Sequence, residues 1–114
     1  MEKSMFINLG PVDDIPLGQG RCFIVHDVEI AVFRCRSGRI SAIENRCPHK
    51  QGPLSEGIIG DGKVVCPLHG HKFDLQTGMG TEEQECVHVF EAWVNRGDVL
   101  IEFFYEAIEL QKCS

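Results

Sequence analysis

Residues 47–69 read CPHKQGPLSEGIIGDGKVVCPLH. Two short segments, Cys47-Pro48-His49 and Cys66-Pro67-Leu68-His69, each carry one thiol and one imidazole. Sulfur and imidazole in equal number are the donors of a metal centre with soft and borderline ligands. Zinc fingers draw both cysteines from one turn and both histidines from one helix. Here each segment supplies one of each, and the one-residue gap of Cys-Pro-His is too short for a helical pair. Pro48 and Pro67 fix φ directly after each cysteine and remove a backbone donor. The glycines at 52, 57, 60, 62 and 70 allow tight turns around a compact object.

The pattern C-x-H…C-x-x-H resembles the Rieske iron–sulfur motif, in which two cysteines bind one iron and two histidines the other. The resemblance implies one Rieske-type [2Fe-2S] cluster held by Cys47, His49, Cys66 and His69. Residues 47–57, CPHKQGPLSEG, look like the small subunit of NAD(P)H-dependent assimilatory nitrite reductase. Residues 66–78, CPLHGHKFDLQTG, are similar to Rieske ferredoxins that serve ring-hydroxylating dioxygenases and other oxygenases. Both assignments stay open, as does a structural zinc-binding module built from the same four side chains. A reductase, a catalytic large subunit, or both are the implied redox partners. Two fully ligated metals leave no open position for substrate chemistry, so no catalytic residue is assigned.

The ligand set also fixes the charge. Two ferric ions, two sulfides and two thiolates sum to zero when both imidazoles are neutral, whereas four thiolates would start the centre at minus two. An electron added to a neutral centre opposes less negative charge, which raises the potential to about −150 to +300 mV, against roughly −400 mV for plant-type ferredoxins. High-potential members of the family add a disulfide between the ligand loops, and a serine and a tyrosine that hydrogen-bond the sulfurs. By the same resemblance the disulfide positions are Gly52 and Leu68, the serine position is His71 and the tyrosine position Phe73. None of the four supplies that group, which predicts a potential at the low end. The remaining donors are expected from backbone N–H groups around His49, Lys50, Gly52, His69 and Gly70. The histidines are expected at an electron port beside Lys50, His71 and Lys72.

Outward from that stretch, 114 residues suffice for one domain, with the cluster-binding part at about 45–80. Apolar content of 43% and charged content of 25% are ordinary for a globular protein. The net charge of −6 argues against nucleic acid and an anionic membrane surface as partners. The N-terminal MEKSMFINLG lacks the apolar core of a secretory signal, and no segment is long and apolar enough to anchor in a membrane. A cytoplasmic location and reduced thiols are therefore expected. Cys22 and Cys35 read as small core residues, Cys113 as exposed and Cys86 as a partly buried thiol. His26 and His88 read as structural, Phe90 and Trp93 as packing residues, and Asp74 as a partner of loop backbone.

Short apolar runs separated by turn residues predict an all-β protein, a Rieske-type β-sandwich with two cluster loops inserted. The expected strands cover residues 6–9, 21–26, 29–36, 40–45, 63–66, 72–75, 87–95 and 99–104. Residues 12–20 and 57–62 read as connections, and 105–113 as a terminal helical turn or two.

Overall fold

The structure, a computed structural model, describes residues 4–46, 53–68, 70–80 and 86–104. Among the described residues, ten strands form three antiparallel sheets. The strands are β1 (Ser4–Pro11), β2 (Gln19–Val25), β3 (Val28–Arg34), β4 (Ile40–Glu44), β5 (Ile58–Gly60), β6 (Lys63–Val65), β7 (Lys72–Asp74), β8 (Val89–Phe90), β9 (Ala92–Asn95) and β10 (Asp98–Phe104). The first sheet has the order β1-β10-β9, the second β2-β3-β4-β8 and the third, smallest sheet β5-β6-β7. The all-β expectation holds.

Sequence period explains the layering. Along β3 the side chains alternate between two cores: Ile30 and Val32 join Val99, Ile101 and Phe103 of β10, whereas Ala31 and Phe33 join Val64 and Phe73 of the small sheet and Cys66 just after β6. Successive residues of a strand point to opposite faces, so the second sheet is the shared wall of two cores. That is why residues 28–34 read as a near-continuous apolar run instead of an alternating one. The first sheet closes one face, and the small sheet with its flanking loops closes the other.

Three hairpins turn on two residues with positive φ: His26-Asp27 (48° and 67°), Asp61-Gly62 (52° and 75°) and Arg96-Gly97 (54° and 83°). This is the twist-matched two-residue turn that tolerates Asn, Asp and Gly best. The pairs Val25↔Val28, Gly60↔Lys63 and Asn95↔Asp98 flank them. At the open end of the first sheet, Ser4 pairs with Phe104, so both ends of the described chain leave from one place.

Several expectations need correction. Residues 57–62 are not merely a connection: Ile58–Gly60 pairs with Lys63–Val65 as β5. The expected strand 87–95 is two strands, β8 on the second sheet and β9 on the first, separated at Glu91. Residues 12–20 contain a short 3-10 turn, Val12–Asp14, and the start of β2. Cys22 is exposed rather than core, on β2, an edge strand of its sheet. Cys35 is half-buried against the second core, as a free thiol. Cys86 is partly buried, as expected, but disulfide-bonded to a cysteine outside the described residues, so the expectation of a reduced thiol there fails. Phe90 is a core residue, stacked on Phe103 with ring centroids 5.9 Å apart. Trp93 packs edge-on against Phe6 at 5.4 Å on the outer face of the first sheet. The expected helical turn at 105–113 and the exposed Cys113 lie outside the described residues.

Candidate metal centre

The Cys66 segment hangs from the second core. Cys66 directly follows β6, whose Val64 is fully buried, and it is itself 2% exposed. A thiol so placed cannot swing freely. Its N–H donates to the His71 carbonyl at 2.7 Å, and its carbonyl accepts from the Gly70 N–H at 3.1 Å. Together these bonds close the segment between β6 and β7 into one tight turn. Gly70 holds φ +76°, a conformation that L side chains rarely adopt, and its position is open around the missing side chain. The Gly70 amide, expected among the donors around the cluster, donates within this turn. Pro67 and Leu68 project outward, Leu68 at 54% exposure, while Cys66 points inward.

Phe73 is fully buried on β7 within the second core and carries no hydroxyl. His71 is half-buried and Lys72 exposed. Asp74 does bond backbone, but in the turn after β7 rather than in a cluster loop: its Oδ1 accepts from the Gln76 and Thr77 N–H groups at 2.8 and 3.0 Å. Those two amides hold the Asp74 carboxyl below its ordinary pKa. Of the residues singled out in sequence, Cys47, His49, Lys50, Gly52 and His69 lie outside the described residues. Among the described residues no three His, Cys, Asp or Glu side chains converge as a metal site.

What the structure does describe of the first segment is its footing. Asn45 directly follows β4, the strand entering it, and Pro53-Leu54-Ser55 lead out. Arg46 and Pro53 form an antiparallel bridge. Leu54 and Ser55 are buried, and Gly20 lies so close beneath them that a Cβ there would sit 2.9 Å from the Ser55 carbonyl and 2.5 Å from the Phe33 ring. Glu29 on β3 faces this footing. Its carboxylate bonds Arg46 at 2.6 Å and Asn45 at 3.0 Å, and these partners, Arg46 foremost, lower its pKa. Sequence reading passed over this group because nothing distinguishes Asn45 there from any strand-ending asparagine.

The donor chemistry fits an iron–sulfur centre. A free, almost fully buried thiol on a rigid turn is a soft ligand already held in place, and its neighbours are apolar. The profile of the Rieske-like [2Fe-2S] domain family matches residues 5–102. The chain belongs to that family. The cofactor of this Rieske-like domain is a [2Fe-2S] cluster, and the zinc alternative falls away. The NMR structure of the Escherichia coli protein NirD is 30% identical, with a TM-score of 0.81, over 89% of this chain and 98% of that one. A ferredoxin fold in the carbazole 1,9a-dioxygenase oxygenase–ferredoxin complex is 30% identical, with a TM-score of 0.73, over 83% and 99%. Among curated relatives, a 4beta-methylsterol monooxygenase of Methylococcus capsulatus is 52% identical over 46 residues. The matched segment is 40% of this chain and only 12% of that monooxygenase's length. No helix among the described residues is long and apolar enough to cross a membrane.

Proposed function

We propose that this domain is the electron-transfer small subunit of an NAD(P)H-dependent nitrite reductase. Cys47, His49, Cys66 and His69 hold its cluster in the proposed arrangement, two thiolates on one iron and two imidazoles on the other. The cluster supplies one-electron transfer; the chain binds it, limits its contact with water and presents it to a partner. The observation that carries the reading is the likeness to NirD across nearly the whole of both chains, together with the CPHKQGPLSEG segment at 47–57. The residues around Cys66 support the carrier role. One side of the turn is anchored in a packed core, while Leu68 and Lys72 stand at the surface beside it, where a partner can approach.

The low-potential expectation rests on the same residues. Phe73 and His71 bring no hydroxyl to the sulfurs, so added negative charge gains fewer hydrogen bonds. A second reading is favoured by the 66–78 segment and by the ferredoxin likeness: a carrier that delivers electrons to an oxygenase. Both readings share a cytoplasmic carrier without activity of its own.

Reconstitution decides between them. The cluster-loaded protein is added to the purified catalytic large subunit of the nitrite reductase from the same genome, and nitrite-dependent NADH oxidation is followed. The proposal expects the rate to rise with added protein and to fall away with Cys66→Ser. No rise, in a sample whose reduced EPR spectrum shows the Rieske signature, would overturn the nitrite reductase assignment. Support of oxygenase turnover by that same sample would establish the second reading.

A further inference from the structure

Asn45 is 2% exposed, and all four of its polar groups are engaged. Its N–H donates to the Glu29 carbonyl at 3.0 Å, and its carbonyl accepts from the Leu54 N–H at 2.6 Å. Its side-chain Oδ1 accepts from the Ser55 N–H at 2.8 Å, and its Nδ2 donates to Glu29 Oε1 at 3.0 Å. Glu29 Oε2 takes the Arg46 guanidinium at 2.6 Å. One residue therefore joins three parts of the chain: the strand entering the first ligand segment, the turn leaving it, and β3 of the base.

We infer that Asn45, seated on Glu29, is a positioning residue for the Cys47–His49 ligand segment. This rests on the reading of that segment as half of the ligand set. The chemistry favours asparagine over its neighbours in size. Aspartate would keep the acceptor for Ser55 but place a second carboxylate against Glu29. Leucine would fill the space and leave the buried Ser55 N–H and one half-buried Glu29 oxygen without these partners. Metal ligands are oriented by the groups that hold their loops, and shifts there alter the centre's electronic properties as well as its retention.

The test uses the cluster-loaded full chain and three variants: Asn45→Ala, Asn45→Asp and Glu29→Gln. Cluster release, followed by visible absorbance at fixed temperature, is expected to be ~10-fold to 100-fold faster in Asn45→Ala and Asn45→Asp, from the loss of buried hydrogen bonds. Their reduced EPR g values and midpoint potentials are expected to shift from wild type. Glu29→Gln keeps an acceptor for Asn45 Nδ2, and its g values are expected to stay close to native. A purely structural asparagine would lower thermal stability while leaving g values and potential native in both Asn45 variants, and that outcome overturns the inference. If Asn45→Ala fails to fold, Asn45→Asp carries the decision. A wild-type protein with no Rieske spectrum would refute the ligand reading itself, a result separable from native spectra in the variants.

Discussion

Gly57 stands where the small sheet is drawn tightest, between the 3-10 turn Leu54–Glu56 and β5. Its backbone, φ −78° and ψ 171°, suits any residue, so alanine there meets no conformational barrier. The obstacle is contact. A Cβ would lie 2.2 Å from the Val65 carbonyl oxygen, 3.0 Å from Val64 Cγ2 and 3.1 Å from the Leu54 carbonyl oxygen. The first approach is more than ~1 Å inside ordinary van der Waals contact. The atom it meets is strand backbone, which cannot rotate away, so β6 itself must move. Overpacking typically costs about 1–3 kcal/mol, and a rigid neighbour places Gly57→Ala near the top, ~3 kcal/mol. That corresponds to a roughly hundredfold loss in the folded-to-unfolded ratio. The displaced strand runs straight into Cys66, so faster cluster loss should accompany the destabilisation. Urea unfolding, followed both by emission of the single tryptophan, Trp93, and by cluster absorbance, measures the two effects. Gly60→Ala is the control: nothing lies within 4 Å of its would-be Cβ, and its midpoint should stay within about 0.5 kcal/mol of wild type. Equal midpoints and equal cluster retention for both variants would refute the idea that close approach at Gly57 positions Cys66.

The other predictions concern charge, potential and thiol access. Asp74, held below its ordinary pKa by the Gln76 and Thr77 amides, stabilises the fold where it is ionised in both states. The stability gap between wild type and Asp74→Asn should be full above the unfolded carboxyl's pKa and should shrink as pH falls through the lowered folded value. A carbon-13 NMR titration of the Asp74 carboxyl that shows an unshifted midpoint would remove the basis for this. Phe73→Tyr offers a hydroxyl at the position where the family's high-potential members use one. If it reaches a sulfur and favours the reduced state by ~1 kcal/mol, the EPR-monitored midpoint potential rises by about 40 mV; an unchanged potential in a loaded sample would sever potential from that position. Cys22 is exposed on an edge strand, so Cys22→Ser should leave stability within about 0.5 kcal/mol and cluster content unchanged. Maleimide labelling of the native, loaded protein should modify Cys22 and spare Cys66; the reverse order would contradict the burial pattern.

Fold class and family were legible because both are written in local chemistry. Asp61-Gly62 and Arg96-Gly97 announce two-residue turns, and the paired Cys/His segments are specific to one kind of cluster. What stayed hidden depends on non-local partners. Ile58–Gly60 holds two isoleucines beside a glycine and reads as a connection until Val65 is seen opposite Ile58. The break at Glu91 is invisible because residues 87–95 are uniformly strand-like; only the existence of two sheets makes one run serve both. The apolar neighbours of Cys22 point to an interior position, but an edge strand exposes what a central strand would bury. Asn45 gave no sign at all: its importance lies in Glu29, Leu54 and Ser55, which only the folded chain brings to it.

The pairing of Ser4 with Phe104 has an evolutionary consequence. A module whose entrance and exit are neighbours can be grafted into a host polypeptide at one surface loop, or joined to a catalytic body on either side, without threading through its own sheets. Residues 47–69 travel along, since both cores and that stretch of sequence lie between those doors. The same architecture can thus serve as a small fraction of a monooxygenase and as nearly the whole of NirD. Portability of this kind follows from where a strand begins and its partner ends.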